Sequence, residues 1–177
     1  MRIIKFKYKS INSTNDTSIN LIKKKNIKFG YVITENQKNG KGQRGKRWIS
    51  YKGNLFISIF FSLEKINLTL KQLTKINAKL IIKLISRYCK NKIKLKFPND
   101  ILINQKKVCG ILQETIVKNG TRYIIVGIGI NLIKSPNIKD YPTTNLYELT
   151  KTKINTNKIT NELLFIYKNF LKSQKVY

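Results

Sequence analysis

Residues 55–61, with the sequence LFISIFF, constrain the fold more than any other segment of this chain. The run is rich in β-forming residues, and its alternate positions are apolar on both sides, so a strand built from it has two apolar faces. Such a strand has to be covered on both sides, which predicts that it lies in the middle of a sheet. The 177-residue chain has room for one domain of ordinary size around it.

Helical periodicity and β-rich runs alternate along the rest of the chain. The sequence predicts strands over residues 2–8, 30–35, 93–97, 101–103, 108–117 and 122–132, and helices over residues 13–25, 70–90 and 161–171. Hairpin turns at residues 104–105 and 118–120 make the second half mostly antiparallel. This order favours an α+β domain with helices on one side of a mixed, largely antiparallel sheet.

The composition excludes several classes of protein. The chain has 36 Lys and Arg against 8 Asp and Glu, a formal charge of +28, no histidine and two cysteines. Without histidine, Ser-His and Cys-His catalysis are excluded and no zinc site is expected. No apolar run reaches the ~18 residues that a membrane helix needs, and the first residues lack a signal-peptide pattern, which predicts a cytoplasmic protein.

The net charge raises the question of nucleic-acid binding, because basic surfaces neutralise phosphates. Lysine is spread along the whole sequence, however, and there is no helix-turn-helix, zinc finger or basic stretch with regularly interleaved aromatic residues. Specific DNA binding is therefore not expected, and a basic nucleic-acid-binding protein is kept as an alternative. The charge favours anionic partners such as ATP or an acidic protein.

The glycine-rich loop, residues 40–48 (GKGQRGKRW), is the most informative segment. Its glycines let backbone N–H groups approach an anion, and its basic side chains supply positive charge. The spacing matches the dinucleotide pattern G-x-G-x-x-G, but a β-rich run follows where that fold needs a helix. It also nearly matches a P-loop, but Arg47 replaces the Ser or Thr that holds magnesium. Both interpretations fail, and the loop taken alone is also compatible with a solvated basic turn.

The loop belongs to an ordered set of segments: STN at residues 13–15, ENQ at 35–37, KFPND at 96–100, KKVCGIL at 106–112 and GIGIN at 127–131. In this order the set resembles the catalytic domain of the biotin–protein ligases. The resemblance implies the class II synthetase-like α+β fold of the biotin/lipoyl ligases. It also implies a two-step reaction: biotin and MgATP form biotinyl-5′-AMP, and the acyl group then passes to a lysine on the biotin carboxyl carrier protein of acetyl-CoA carboxylase.

On the biotin side, the resemblance implies contacts from Ser13, Thr14, Asn15, Gln37, Lys41, Gly42, Gln43, Lys107 and Gly110. Ser13 and Asp16 also form the capping-box pattern that begins a helix, and both roles can hold together. Lys41 and Gln43 stand where family members usually or often carry arginine. Lysine keeps the charge of arginine but loses its bidentate fork, whereas Gln43 drops a charge.

On the nucleotide side, it implies contacts from Gly40, Arg44, Trp48, Lys96, Asn99, Asp100 and Asn131. Trp48 matches a tryptophan that packs against adenine, with ordinary core packing as the alternative. Asp100 is the candidate Mg²⁺ ligand, since magnesium prefers carboxylate and phosphate oxygens, but an aspartate after proline is also typical of a turn.

Lys107 and Arg44 are the candidate catalytic residues that the resemblance implies. An ammonium group can neutralise the charge that develops between the biotin carboxylate and the α-phosphate. The neighbouring Lys106 is the competing candidate, because strand alternation lets only one of the two face the site, and the motif alignment selects Lys107.

A lipoate or octanoate ligase or transferase of the same fold is the nearest alternative function, and the basic loop that ends in Trp48 favours biotin. No helix-turn-helix segment precedes Arg2 and no β-barrel segment follows the last helix, so residues 1–177 are expected to form one catalytic domain without repressor activity. Family members often pair through a sheet edge, which makes a homodimer a further expectation. Cys109 is expected to be a buried, inert thiol.

Overall fold

The computed structural model describes residues 3–25 and 27–174. The strands are β1 (Ile4–Tyr8), β2 (Phe29–Thr34), β3 (Leu55–Ser62), β4 (Ile93–Lys96), β5 (Asp100–Ile103), β6 (Lys106–Lys118) and β7 (Thr121–Ile130). The helices are α1 (Thr14–Lys24), α2 (Leu70–Ile85), α3 (Leu146–Thr150) and α4 (Thr156–Ser173). A single turn of 3-10 helix, Gln43–Gly45, lies within the glycine-rich loop.

The strands form one seven-stranded sheet in the order β1-β2-β3-β7-β6-β5-β4. β1 pairs with β2 in parallel, and every other neighbouring pair is antiparallel. The α+β class and the mixed, largely antiparallel sheet are therefore confirmed. All eight residues of β3 are buried, and β3 has a strand on either side, which confirms its interior position.

Helices cover both faces of the sheet rather than one. Successive side chains of a strand point to opposite faces, so the core divides into two clusters. Ile59 of β3 shares one cluster with Leu84 of α2 and Leu163 of α4, as the sequence predicts. Phe60, the next residue, shares the other cluster with Ile22 of α1. The second apolar face of β3 requires this extra layer, and it places α1 on the face that carries the site described below.

Several element boundaries differ from the prediction. α2 ends at Ile85 rather than near residue 90, because a turn follows in which the N–H groups of Tyr88 and Cys89 both donate to the Ile85 carbonyl. The helical spacing of apolar residues continues through this turn in the sequence because Tyr88 packs against the same core as α2. α4 begins five residues early, where Asn155 caps its first turn. α3 was not predicted, because five residues are too few to show a period. The start of the first predicted strand, Arg2, lies outside the described residues.

Within the described part of the chain, no helix is long and apolar enough to cross a membrane.

Both cysteines are free and buried, and burial raises the pKa of the Cys109 thiol. Because the thiolate is the reactive form, we expect neither cysteine to react with a thiol reagent such as DTNB in the native protein at pH 8. Both should react within seconds once guanidinium unfolds the chain. A native protein that releases a stoichiometric amount of the coloured product would contradict the burial of these side chains.

Candidate active site

Glycines on the α1 face of the sheet form the floor of the site. Gly110 of β6 lies opposite Gly129 of β7, and Gly127 lies two residues before Gly129 on the same face. A Cβ at Gly129 would lie 2.4 Å from the Trp48 ring, and one at Gly127 would lie 2.2 Å from Asn15 Oδ1. The missing side chains therefore let Trp48 and Asn15 rest directly on the sheet.

A cavity of about 400 Å³ opens above this floor. The start of α1, the glycine-rich loop, the β4–β5 turn and the first half of β6 surround it. The residues selected from the sequence that line it are Ser13, Thr14, Asn15, Gln37, Lys41, Gly42, Gln43, Arg44, Trp48, Lys96, Asn99, Asp100, Lys107 and Gly110. The fold thus brings together segments that are up to about a hundred positions apart in the sequence.

Gly40 and Asn131 do not line this cavity. The Gly40 carbonyl accepts a hydrogen bond from the Trp48 N–H at 2.8 Å, and a Cβ at Gly40 would lie 2.6 Å from the Trp48 carbonyl oxygen. Gly40 therefore closes the base of the loop. Asn131 lies in a separate, smaller hollow described below.

One end of the cavity is lined by hydroxyl and amide side chains, with one exposed ion pair beside them. Gln37 Oε1 accepts hydrogen bonds from the backbone N–H of Thr14 at 2.9 Å and from its hydroxyl at 3.0 Å. Ser13 caps α1 by accepting from the Asp16 N–H at 3.3 Å. The Asp16 carboxylate, however, pairs with Lys41 Nζ at 2.5 Å. The structure thus contains the Ser13 half of the predicted capping box, and Ser13 both caps the helix and lines the cavity.

Asn15 is held by the protein through each of its polar atoms. Its Oδ1 accepts from the Ser58 hydroxyl at 2.5 Å, and its Nδ2 donates to Glu114 Oε2 at 2.6 Å and to the Leu112 carbonyl at 3.3 Å. The residue is 2% exposed. Asn15 therefore fixes the start of α1 to the sheet. Sequence reasoning missed Ser58 and Glu114, since only the pairing of distant strands reveals these contacts.

Lys107 is the best-fixed cation of the cavity. Its Nζ lies 2.9 Å from Asp100 Oδ1, and its side chain is 12% exposed. The same ammonium lies 5.4 Å from the centre of the Trp48 ring and 5.1 Å from that of Tyr141, within the range of cation–π attraction. Lys106 is exposed and does not line the cavity, so the geometry agrees with the choice of Lys107. Tyr141 was missed because no motif surrounds it.

A smaller hollow lies behind Trp48 and is also lined by Lys107, Asn131 and Tyr141. Trp48 Nε1, a donor, and Asn131 Oδ1, an acceptor, are buried without a hydrogen-bond partner in the structure. Buried polar atoms rarely lack partners. The hollow has a volume of only about 10 Å³, no more than one water molecule needs, so it is too small for a nucleotide base.

Carboxylates are sparse in the site. No three His, Cys, Asp or Glu side chains cluster in residues 3–25 and 27–174 as they would around a protein-built metal centre. Of the described residues that line the cavity, Asp100 alone carries a carboxylate. A single carboxylate fits Mg²⁺ only where phosphate oxygens and water supply the other ligands.

Comparison with known proteins agrees with this geometry. The model of the biotin/lipoate A/B protein ligase family matches residues 8–131, which is most of the chain. The chain belongs to this family. The resemblance found from the ordered motifs is thereby confirmed, and the family match ends at Asn131, the last residue of those motifs.

Two curated relatives in the family resemble the chain over part of their length. It is 32% identical to the bifunctional ligase/repressor BirA of Escherichia coli over 125 residues, 69% of this chain and 38% of the relative. It is 31% identical to the biotin–[acetyl-CoA-carboxylase] ligase of Paracoccus denitrificans over 109 residues, 60% of this chain and 45% of the relative. The chain thus matches less than half the length of either relative.

A solved structure extends the match to nearly the whole chain. The biotin protein ligase from Aquifex aeolicus, in complex with biotin and ATP, superposes with a TM-score of 0.80 at 25% sequence identity. The alignment covers 96% of this chain and 70% of that one.

Two neighbouring glycines allow a test of the floor of the site. Trp48 is the only tryptophan in the sequence, so the emission spectrum reports on its surroundings. Gly129→Ala forces the Trp48 ring away from the sheet, and we expect the emission maximum to shift to longer wavelength by several nanometres. Gly127→Ala crowds Asn15 instead, and we expect unchanged emission with a stability loss of about 1–3 kcal/mol from overpacking. Equal spectra for both variants would contradict the placement of Trp48.

Proposed function

We propose that this chain is an ATP-dependent ligase that forms biotinyl-5′-AMP and transfers the biotinyl group to a lysine of a biotin carboxyl carrier domain. One observation carries the proposal: Lys107, whose ammonium is held 2.9 Å from Asp100 Oδ1, lines a cavity of about 400 Å³ together with the basic glycine-rich loop. A fixed cation in this cavity suits the point where the biotin carboxylate meets the α-phosphate of the nucleotide. The solved Aquifex aeolicus structure, which is a complex with biotin and ATP, supports this pair of ligands.

The polar end of the cavity suits the ureido ring of biotin. That ring has N–H donors and a carbonyl acceptor, and Ser13, Thr14 and Gln37 offer hydroxyl and amide groups beside it. We place adenine in the main cavity against Trp48, whose aromatic ring lines it, because the hollow behind that ring is too small for a base. The recognition of biotin thus rests on hydrogen bonds at the polar end of the cavity.

The first step joins two anions and needs screening more than proton transfer. A biotin carboxylate oxygen attacks the α-phosphorus, a new P–O bond forms, and pyrophosphate leaves with the electrons of the broken bond. Lys107 neutralises charge that accumulates between the reacting groups, and Arg44 and Lys96, which line the same cavity, screen the phosphates. Such chemistry suits a chain that has no histidine.

The second step transfers the acyl group. The acceptor lysine amine attacks the acyl carbon of biotinyl-5′-AMP, an amide bond forms, and AMP leaves from that carbon while the amine loses a proton. The acceptor we propose is the carrier domain of acetyl-CoA carboxylase, in keeping with the name of the Paracoccus denitrificans relative. We place the reaction in the cytoplasm, where ATP and carboxylases occur together.

Mg²⁺ is part of this proposal. Asp100 would hold it together with phosphate oxygens and water, and the ion would neutralise the triphosphate during adenylation. Because Asp100 pairs with Lys107, its carboxylate would then contact both the lysine ammonium and the Mg²⁺ ion.

The formation of biotinyl-5′-AMP tests the proposal. The chain is incubated with biotin, ATP and Mg²⁺, and the products are followed by pyrophosphate release and by mass spectrometry. We expect one biotinyl-5′-AMP per active chain, with little product when lipoate or octanoate replaces biotin. Product only with lipoate or octanoate would assign the chain to the other branch of the family, and no acyl-adenylate from any of the three acids would refute the ligase.

A further inference from the structure

The approach to the glycine-rich loop, residues 38–39, and the tip of the loop, residues 41–47, are held differently. The approach to the loop is fixed by backbone hydrogen bonds, from the N–H groups of Lys38 and Asn39 to the carbonyls of Ile11 and Asn12, both at 2.9 Å. The tip folds on itself, with a bridge between Lys41 and Arg47. Most of its residues are exposed. The tip therefore has little packing of its own to keep it over the cavity.

A single ion pair joins the first residues of the tip to α1. Lys41 Nζ lies 2.5 Å from Asp16 Oδ1, and the two side chains are 49% and 38% exposed. Asp16 stands in the first turn of α1, next to the Asn15 side chain that anchors this helix to the sheet. The hydrogen bond to Asp16 raises the pKa of Lys41. The carboxylate thus belongs to an anchored helix, whereas the lysine belongs to the mostly exposed tip of the loop.

We propose that Asp16 and Lys41 form a latch that holds the glycine-rich loop closed over the polar end of the cavity, which makes Asp16 a positioning residue for the loop. The identity of the ligand beneath the loop rests on the proposed function, whereas the latch does not. Lys41 then acts on that ligand by keeping the loop in place, not by direct contact. Arg44 and Lys46, which line the cavity from the same loop, are left to meet its anionic groups.

The latch has to open to admit ligand, and its exposure makes this easy. Exposed ion pairs stabilise a contact only slightly, so loss of the pair raises the open population about two- to fivefold rather than abolishing closure. Cleavage by an arginine-specific protease after Arg44, distinguished by fragment mass from cleavage after Arg47, follows that population at low protease concentration, where the loop opens and closes faster than it is cut. Substitution of Lys41 leaves this cleavage site intact.

A double-mutant cycle tests the latch in the full chain without ligand. We expect Asp16→Asn and Lys41→Gln each to speed cleavage after Arg44 about two- to fivefold, and the double variant to be cut no faster than either single variant. The exchange of the two residues, Asp16→Lys with Lys41→Asp, should restore slow cleavage. Glu64→Gln, which removes the exposed Lys28–Glu64 pair at 3.1 Å elsewhere on the surface, is the matched control and should cleave like the wild type.

Other outcomes overturn the latch. Wild-type cleavage in both single variants, or effects that multiply in the double variant, would show that the two side chains do not act through each other. Assays of acyl-adenylate formation, run beside the cleavage assay, separate the two proposals. If no acyl-adenylate forms but the single and double variants are cleaved as predicted, the latch stands and the proposed ligand is wrong. If biotinyl-5′-AMP forms but cleavage is unaffected, the ligase stands and the latch is wrong.

Discussion

The Lys107→Ala variant is expected to form biotinyl-5′-AMP at least about a hundredfold more slowly than the wild-type chain, because removal of one preorganised charge at a reacting group costs about 10²–10³ in rate. Lys107 lines the cavity, and its ammonium lies 2.9 Å from Asp100 Oδ1. Pyrophosphate release at saturating biotin and ATP measures the rate. Thermal unfolding should show a loss of about 1 kcal/mol of unfolding free energy, because the variant loses one ion pair and leaves Asp100 partly exposed.

Lys106→Ala is the matched control for this experiment. The neighbouring lysine carries the same charge but is exposed and lies outside the cavity. Its removal should leave pyrophosphate release within about twofold of the wild type, since one exposed charge adds little beside so many others. If the two variants lose activity equally, the assignment of Lys107 is wrong and the loss of activity reflects a general effect of charge.

The Asn15→Asp variant is expected to lose about 3 kcal/mol of unfolding free energy, although the two side chains have nearly the same shape. The substitution replaces the Nδ2 donor with an oxygen that faces the Glu114 carboxylate at 2.6 Å and the Leu112 carbonyl at 3.3 Å. Two carboxylates at this distance repel each other, and the one at position 15 is buried, since Asn15 is 2% exposed. For a chain of this size we expect a drop in Tm of roughly 6–12 °C in thermal unfolding followed by circular dichroism.

Two further variants separate this contact from a general effect of charge in α1. Asn20→Asp adds the same charge at an exposed position of the helix and should change Tm by less than about 2 °C. Adding Glu114→Gln to Asn15→Asp supplies an amide donor to the new carboxylate, and more than half of the loss should return. An Asn15→Asp protein as stable as Asn20→Asp would show that the start of α1 is not anchored through Glu114.

The strands and hairpins of the sheet were largely predictable because local patterns mark them, whereas the pairing of β3 with β7 was not predicted. The apolar run at residues 55–61 predicts an interior strand, and the turns at residues 104–105 and 118–120 predict the hairpins that the structure contains. Asn104, Gln105 and Asn119 adopt positive φ there, as tight hairpin turns require. The position of α1 on the opposite face from α2 and α4 was not predicted, because periodicity identifies an apolar stripe but not the face of the sheet that it covers.

The site was predictable only where a motif marks it. The motif segments led to the residues that line the cavity, whereas Tyr141 beside Lys107 and Glu114 beside Asn15 lie outside any pattern in the sequence. The Asp16–Lys41 pair was hidden for a different reason. Asp16 matches a capping box, and nothing local shows that its carboxylate reaches a loop 25 positions away.

The central claim is the transfer of biotin to a carrier domain, and the intact mass of the acceptor tests it most directly. An apo biotin carboxyl carrier domain is incubated with this chain, biotin and MgATP, beside reactions without ATP, with lipoate, and with the Lys107→Ala variant. We predict one biotinyl addition per carrier domain that requires ATP and is lost with Lys107→Ala. An unmodified carrier in the presence of a folded chain, or an addition seen only with lipoate, would contradict the claim.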